Sequence, residues 1–408
     1  MPSCTWADAS LPPCTVCAIE RVNMRTYRAA IVGCGPRGNS QAEACKAHPA
    51  VELVALCDLD EQRLRAAGER HGVRALYPDL ETMLAQEQPD IVHIATRTDL
   101  HSELTLAVLR PGVNVVVEKP LALTLAGADR MVAAAEEAGV QLAVHHQWSL
   151  SPQQRKAKEM MAAGAIGELR AVQSSGKGYY GCYGLMNIGT HILDQICNFC
   201  GEPEWCFASV TVGERDMAPD DIVQMPHGMG LGAGERIFAH YAFPAGVYAT
   251  SEYFPRDPID VRAYGVDLIG TEGILSLRGA GQGVLYYYPD KVWAPQNADR
   301  WQPVHLSEEE STLYGHSFAA LSDLWMVEEM VNCLCEGREH ATSGRRGRVV
   351  LEMIMAVYES QRRGMRVKLP LAEREHPLQR WLEETGRRVP ALEIVAYREW
   401  LPQVGKSK

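Results

Sequence analysis

The sequence lacks several features that would assign a protein to a specialised class. It has no apolar run of about 18 residues, so no segment is expected to span a bilayer. Its first 23 residues have neither a basic start nor a sustained apolar core, so a secretory signal peptide is not expected. Positive charge is scarce: 40 Lys and Arg against 51 Asp and Glu give a net charge of −11. This balance argues against nucleic acid or an anionic membrane as the partner.

Cysteine is too sparse for a disulfide-stapled scaffold, with 12 in 408 residues. Reduced thiols in a cytoplasmic protein are therefore expected. Two C-x-x-C pairs, Cys14/Cys17 and Cys197/Cys200, raise the question of zinc. Neither pair has a histidine at a helpful spacing, and Cys197 and Cys200 would also fit one turn apart on a helix as small apolar residues. No metal is expected.

The chain is long, and segments with a strand pattern alternate with segments with a helix pattern. A chain of 408 residues predicts two domains, since single cores rarely grow beyond about 250–300 residues. Residues 1–24 read as a tail. In 25–147, short β-rich runs such as "VELVALCD" and "VNVVVEK" alternate with amphipathic helices, two of which, at 99–112 and 124–139, end in glycine. This alternation predicts a parallel sheet covered on both faces, the Rossmann type of α/β domain.

Beyond residue 147 the pattern changes to longer, more alternating strands with Gly or Pro in the turns. Residues 148–369 are therefore predicted to form a second α/β domain with a large, open, mostly antiparallel sheet. Two late helices are expected at roughly 314–337 and 343–363. Residues 370–408, rich in charge, Trp and Pro, are interpreted as a C-terminal extension.

The segment "AAIVGCGPRGNSQ" contains a dinucleotide-binding fingerprint. Gly33, Gly35 and Gly38 fit G-x-G-x-x-G between a strand and a helix, and Asp58 ends the next strand. The glycines permit a tight turn, close approach of a pyrophosphate and close helix packing, and a carboxylate at 58 suits a ribose diol. Asp58 would repel a 2′-phosphate, which favours NAD over NADP, although Arg63 and Arg65 keep NADP open.

The stretch "VVVEKP" places Glu118, Lys119 and Pro120 at the end of the predicted fifth strand. Ligands of open α/β sheets bind at the carboxyl ends of the strands, so Lys119 is expected near the nicotinamide end of a bound dinucleotide. The proline suggests a rigid turn, for which a cis bond is one option. The alternative interpretation is a solvated strand end with no role.

A third group of polar residues lies in "GLMNIGTHILDQ". The run from residue 190 reads as a helix, on which His191 and Asp194 share a face, and Asn187 and a tyrosine cluster precede it. Aromatic faces and hydroxyls suit a sugar ring, although each side chain would equally suit a core. The candidates for substrate contact are Trp148, Tyr179, Tyr180, Tyr183 and Asp194.

These motifs together resemble the glucose–fructose oxidoreductase/inositol dehydrogenase (Gfo/Idh/MocA) family. The likeness spans residues 27–367 and is carried by the glycine fingerprint, by residues 91–124 with E-K-P, by the helix after residue 151 and by the late helix pair. It implies NAD or NADP as cofactor, a carbohydrate substrate and a homodimer or homotetramer. The cofactor-binding positions that it implies are Gly33, Gly35, Pro36, Arg37, Gly38, Asp58, Thr96, His101, Glu118 and Lys119.

The family pairs the E-K-P lysine with a D-x-x-x-H motif, so the resemblance implies catalytic roles for Lys119, His191 and the residue at 187. Here the acid position holds Asn187, which cannot take a proton. Asp194 is the nearest candidate for supplying the missing charge. Arg97 replaces the family's usual proline, at a strand tip where a guanidinium would reach a cofactor phosphate or a substrate carboxylate, or simply lie exposed.

The function expected from the sequence is transfer of a hydride between nicotinamide and a secondary hydroxyl or ketone of a sugar, polyol or glycoside. His191 is expected to act as the base and Lys119 to stabilise the oxygen. Two alternatives stay open. One is a redox-neutral sugar-modifying enzyme that oxidises its substrate only transiently. The other is a non-catalytic dinucleotide or sugar sensor, an interpretation that Asn187 favours.

Overall fold

The fold was obtained as a computed structural model, which describes residues 25–279, 283–392 and 394–404. The N-terminal tail, with Cys14 and Cys17, lies outside the described residues. Two large sheets organise the rest. The strands are β1 (Tyr27–Val32), β2 (Val51–Cys57), β3 (Leu76–Tyr77), β4 (Ile91–Ile94), β5 (Asn114–Val117), β6 (Leu142–Val144), β7 (Leu169–Ser175), β8 (Trp205–Val212), β9 (Arg215–Asp216), β10 (Val223–Gln224), β11 (Leu231–Gly232), β12 (Arg236–Ala242), β13 (Tyr248–Tyr253), β14 (Gly265–Gly270), β15 (Ile274–Arg278), β16 (Val284–Tyr288), β17 (Gln302–Val304), β18 (Thr312–Leu313), β19 (His316–Ser317) and β20 (Val367–Lys368).

The first sheet has the order β3-β2-β1-β4-β5-β6, and every neighbouring pair is parallel. Its central strands are apolar and buried because helices cover both faces. The predicted Rossmann sheet is thus confirmed, and "VNVV" is its fifth strand. The α-helices of eight or more residues are α1 (Pro36–Ala47), α2 (Glu61–His71), α3 (Leu80–Glu87), α4 (His101–Val108), α5 (Leu125–Ala138), α6 (Pro152–Ala162), α7 (Thr190–Cys200), α8 (Asp323–Glu336), α9 (Gly344–Arg363), α10 (Pro377–Glu384) and α11 (Tyr397–Val404).

The second sheet has the order β17-β16-β15-β14-β7-β13-β12-β8-β20, with β9 paired to β8. All its pairs are antiparallel except β7 with β13. The prediction of a large, mostly antiparallel sheet is confirmed. Helix α7 packs on it, and Ile192, Leu193 and Ile196 are completely buried there. None of the helices in the described ranges is long and apolar enough to cross a membrane.

Two predicted helix boundaries are wrong. The helix expected at 314–337 begins only at Asp323, because residues 312–317 form the β18–β19 hairpin. Its turn has Tyr314 at φ 49° and Gly315 at φ 78°, and two left-handed residues in succession interrupt a helix. Helix α4 ends at Val108 and not at the glycine of "LRPG", since Arg110 and Val113 form a β-bridge across that turn.

The two halves of the sequence interlock at the edge of the first sheet. Thr342, in the loop between α8 and α9, accepts a backbone hydrogen bond from Val144 of β6 at 2.8 Å. Trp325 and Met326 of α8 belong to the same core cluster as Ile31 of β1. Helix α8, assigned by sequence to the second domain, therefore buries its apolar face against the first one.

Candidate active site

The glycine loop after β1 has the geometry that a dinucleotide needs. Gly33 has φ +97°, and a Cβ on it would lie 2.6 Å from the carbonyl oxygen of Ala95. A Cβ on Gly38 would lie 1.8 Å from the carbonyl oxygen of Gly33, so α1 packs directly on the loop. Gly35 caps α1 without a side-chain hydrogen bond, and a Cβ there would meet nothing within 4 Å. The helix N-terminus therefore opens on free space, as a phosphate site requires.

That space is one continuous cleft of about 1570 Å³. It is larger than the roughly 300–1000 Å³ of a site for one small molecule, and it has room for a dinucleotide together with a sugar. The residues around it fit NAD. Of the predicted cofactor residues, those lining the cleft are Gly33, Gly35, Pro36, Arg37, Asp58, Thr96, Glu118 and Lys119.

Two predicted cofactor residues do not line the cleft. Gly38 lies beneath Gly33, as described above. His101 is completely buried, and its ring nitrogens lie 2.8 Å from the carbonyl oxygen of Pro120 and 3.3 Å from that of Thr96. It therefore joins the ends of β4 and β5 from behind the cleft.

Asp58 lies at the end of β2, where the fingerprint predicts it. One carboxylate oxygen accepts the backbone N–H of Cys34 at 2.7 Å, and the other accepts that of Asp60 at 2.8 Å. The side chain is thus fixed at the edge of the cleft with Arg63 beside it. A fixed carboxylate there suits the two hydroxyls of an NAD ribose and opposes a phosphate.

Arg37 has a role that the fingerprint does not predict. Its Nε lies 2.8 Å from Glu118, and its Nη2 lies 3.0 Å from Asp323 at the start of α8. Burial alone would raise the pKa of Glu118, but the charges of Arg37, His145 and Lys119 together lower it to about 2. Glu118 is therefore ionised and ties the strand end to the glycine loop. Asp323 and His145 were missed from the sequence, although His145 ends β6 much as Glu118 ends β5.

Arg97 lines the cleft, where it replaces the proline usual in the family. Its guanidinium pairs with Asp99 through two nitrogens, at 3.0 and 2.9 Å. The pair is partly exposed, so Arg97 is already partnered at the strand tip.

Lys119 is the chemical centre of the cleft. The Lys119–Pro120 peptide bond is cis. The Lys119 Nζ donates to Asn187 twice, to the side-chain oxygen at 2.6 Å and to the backbone carbonyl oxygen at 3.0 Å. Burial lowers the pKa of Lys119 to about 8, outweighing the attraction of Glu118. The Lys119 ammonium is therefore in direct contact with Asn187.

His191 lies one turn after Asn187, near the start of α7, and is nearly buried. Its ring stacks on Trp148, with centroids 4.5 Å apart and planes 24° apart. Its Nδ1 has no hydrogen-bond partner in the described part of the chain. Burial, followed by the charge of Lys119, lowers the pKa of His191 well below the usual value, so the imidazole is neutral at pH 7. Trp148 separately lines a small cavity with Tyr264.

Asp194 does not supply the charge that Asn187 lacks. Its carboxylate is fully buried, with one oxygen 2.7 Å from the Arg346 Nε and the other accepting the Ser149 hydroxyl. The nearest histidine nitrogen is that of His146, at 3.5 Å. Arg346, 152 residues away along the chain, neutralises this carboxylate before His191 or a substrate can.

The predicted aromatic residues separate into two groups. Tyr183 lines the cleft and interacts with the Asn187 side chain, and Tyr179 meets it edge-on with centroids 5.4 Å apart. Tyr180 points elsewhere, into a second cavity of about 280 Å³ beneath the C-terminal extension. Residues that sequence reasoning missed also line the cleft: His227, Met229 and Ile394.

Lys177, which the sequence analysis did not single out, lies near the aromatic rings of Trp148 and Tyr264. The Lys177 Nζ lies 5.0 Å from the Trp148 ring centre and 5.3 Å from that of Tyr264. Burial lowers the pKa of Lys177.

Across residues 25–279, 283–392 and 394–404, no cluster of three or more His, Cys, Asp or Glu side chains has the form of a metal site.

Comparison with known proteins agrees with this geometry. Residues 27–146 match the model of the oxidoreductase family with an NAD-binding Rossmann fold. D-apiose dehydrogenase of Paraburkholderia graminis is 29% identical over 384 residues, which cover 89% of this chain and 95% of that protein. D-glucoside 3-dehydrogenase of Escherichia coli is 31% identical over 193 residues, 43% of this chain and 54% of that enzyme.

Solved structures share the fold over most of the chain. Levoglucosan dehydrogenase in complex with NADH and levoglucosan superposes with a TM-score of 0.72. It is 18% identical, and the match covers 85% of this chain and all of that one. At that identity the likeness concerns the fold alone.

The position of Asp58 gives a test of cofactor choice. We expect Asp58→Ala to weaken NADH binding by about 10- to 150-fold, because a hydrogen bond to a charged group contributes about 1.5–3 kcal/mol. NADPH binding is expected to strengthen as the repulsion disappears. Fluorescence titration of each reduced dinucleotide measures both constants. Asp58→Asn separates charge from shape, and Asp79→Asn, at the N-cap of α3, is the control. Unchanged constants in both Asp58 variants would contradict the assignment.

Proposed function

We propose that this chain, a member of the Gfo/Idh/MocA family of NAD-binding oxidoreductases, interconverts a hydroxyl and a carbonyl group on a small carbohydrate. In this proposal Lys119 exchanges the proton of the hydroxyl group. One observation carries the proposal. The Lys119 Nζ lies in the wall of the same cleft that begins at the glycine loop, held by Asn187 at 2.6 Å. Relatives named for D-apiose, D-glucosides and myo-inositol support a sugar or polyol as the substrate.

The N-terminus of α1 would hold the phosphates of NAD and Asp58 would hold a ribose, which would leave the Lys119 end of the cleft for nicotinamide and substrate. The bound cofactor supplies the two-electron acceptor or donor. The protein holds the substrate and exchanges the hydroxyl proton, and both tasks fall to side chains at the carboxyl end of β5 and on the segment before α7.

Lys119 is the better proton acceptor of the two predicted bases. A pKa of about 8 leaves roughly one molecule in ten neutral at pH 7, which is suited to a general base. A neutral amine has two N–H groups, and the two Asn187 oxygens at 2.6 and 3.0 Å accept both. The lone pair is then left for the substrate hydroxyl. Asn187 thus orients the base without adding a charge.

His191 then takes a different role from the one expected from the sequence. Its pKa is lowered well below the usual value, so it is a weak base near neutrality. It is not among the residues that line the cleft, so we assign it the role of a neutral group packed behind the Lys119–Asn187 pair, fixed by its stack on Trp148. The negative charge that develops on the substrate oxygen is balanced by the lysine as it takes up the proton.

Replacing Lys119 tests the proposed function. We expect Lys119→Met to lower kcat by about 10²–10⁴-fold, because a positioned acid or base contributes that much. NADH formation is followed on D-apiose, D-glucose, methyl β-D-glucopyranoside and myo-inositol. Lys158→Met is a matched control, since the pKa of Lys158 is also about 8 and its Nζ also lies 2.6 Å from an asparagine oxygen, that of Asn198, on the exterior. Equal turnover by both variants would remove Lys119 from the chemistry. Substrate conversion without net NADH would support the redox-neutral alternative.

Because Asn187 carries no charge, the dependence of the rate on pH is expected to follow the titration of Lys119. The rate of substrate oxidation is expected to rise with pH and level off above about 8, as Lys119 loses its proton. In Asn187→Asp a carboxylate beside the ammonium raises its pKa by about 1–3 units. The rising limb of kcat/KM should therefore move to higher pH, whereas Asn187→Ala adds no charge and should lower the plateau instead. A limb that stays in place in Asn187→Asp would show that another group titrates.

We propose that the exposed face of the second sheet is covered by a second copy of the chain. Phe207, Phe238 and Tyr248 lie on adjacent strands and are 47%, 47% and 45% exposed, and His240 stacks on Tyr248 between them. Contiguous apolar surface of this kind marks an interface.

The free thiols of the described cysteines support a reducing compartment such as the cytoplasm.

Light scattering after size-exclusion chromatography tests the interface. We expect a dimer or tetramer for the unmodified protein and a monomer for Phe238→Glu, because a buried unpaired carboxylate opposes association. Val292→Glu places the same charge on an isolated residue that is 69% exposed, and it should leave the assembly intact. A monomeric unmodified protein would refute the proposal.

A further inference from the structure

The C-terminal extension returns to the cleft that Lys119 lines. Ile394 lines this cleft together with Lys119, Tyr183, Asn187, His227 and Met229. Its side chain is 47% exposed, so it leaves apolar surface in the cleft that a bound molecule would cover.

The segment around Ile394 is fixed on both sides. The backbone N–H of His227 donates to the carbonyl oxygen of Val395 at 3.1 Å. The side chain of Trp400, only 3% exposed, donates to the carbonyl oxygen of Gln224 at 2.8 Å, and the Gln224 amide donates to Pro390 at 3.0 Å. These bonds hold Pro390 before Ile394, and Val395 and Trp400 after it, on the second domain.

Tyr397 connects the same segment to the chemical centre. Its ring stacks on Tyr183, with centroids 4.4 Å apart and planes 24° apart, and its hydroxyl accepts the backbone N–H of Tyr180 at 2.9 Å. Tyr183 in turn interacts with the side chain of Asn187, which holds Lys119. Tyr397 touches neither the cofactor loop nor Lys119 and can act on them only through Tyr183.

We propose that Ile394 is a specificity-determining residue that forms the apolar end wall of the substrate pocket and limits the substrate to the size of one sugar ring. Tyr397 is a positioning residue that keeps Tyr183 against Asn187. The proposal rests on the proposed function, since it names the substrate class for the same site. A glycoside carrying a bulky aglycone is excluded because its second ring would overlap the Ile394 side chain.

Steric exclusion is tested with matched pairs of free sugars and phenyl glycosides. For each sugar that gives NADH, kcat/KM is compared with that of its phenyl glycoside in the unmodified protein, Ile394→Ala and Arg398→Ala, an exposed control on the same segment. We expect the unmodified protein and the control to favour the free sugar by at least about tenfold. The preference should fall by about tenfold in Ile394→Ala, because kcat/KM on the phenyl glycoside rises once the side chain is shortened. An unchanged preference in Ile394→Ala would overturn the proposal, as would equal use of both substrates by the unmodified protein.

A second measurement does not depend on turnover. In Ile394→Cys, the rate of iodoacetamide labelling is followed on the tryptic peptide 389–398, with NADH present and with or without saturating free sugar. Protection by the sugar places residue 394 at the substrate, and equal rates would overturn the proposal. If the unmodified protein uses no sugar, the proposed function fails. If it uses sugars but they do not protect the introduced thiol, only the wall assignment fails.

The positioning role of Tyr397 has its own signature. Tyr397→Ala is expected to lower kcat by about tenfold and to shift the pH limb set by Lys119, while NADH binding stays unchanged. Tyr397→Phe keeps the stack on Tyr183 and should restore the limb. A Tyr397→Ala variant that loses only thermal stability, with an unmoved pH limb, would reduce Tyr397 to a packing residue.

Discussion

The ion pairs that Arg37 makes with Glu118 and Asp323 constrain everything else in the site. The three residues come from the glycine loop, the end of β5 and the start of α8, and they meet within 3.0 Å. The carboxylates are almost wholly buried, whereas the Arg37 side chain is 44% exposed. Removing the arginine would leave two buried carboxylates without their compensating charge. The network therefore fixes the distance between the phosphate end and the chemical end of the cleft, and it joins both domains in doing so.

This network also determines the protonation of the site. Glu118 interacts most strongly with Arg37. Its attraction for Lys119 is too weak to offset the effect of burial, so the pKa of Lys119 is lowered. With an asparagine at 187, no second carboxylate restores the balance. Burial therefore prevails at both bases: it lowers the pKa of Lys119 to about 8 and that of His191 well below its usual value.

The sequence predicted those parts of the site that depend on neighbouring residues. The glycine turn, Asp58 and the strand carrying Lys119 each follow from local pattern, and the resemblance placed Asn187 and His191 beside them. The sequence could not predict partners that approach from far along the chain. Arg346 neutralises Asp194 across 152 residues, and Asp323 reaches Arg37 across 286. The hairpin at 312–317 was missed because its turn puts a tyrosine, and not only a glycine, in a left-handed conformation.

The two ends of the cleft are built by different means. At the glycine-loop end the wall is backbone, and Gly33 and Gly38 leave no space for a Cβ. At the other end the wall is made of side chains from separate segments: Lys119 after β5, Asn187 before α7, His227 in a loop and Ile394 in the extension. Exchanging one of these side chains changes the shape of the pocket without disturbing the glycine turn or the ion network. The extension itself is anchored in the core through Leu378, Leu382 and Trp400, whereas Ile394 is 47% exposed, so its side chain can change at little cost to the packing behind it.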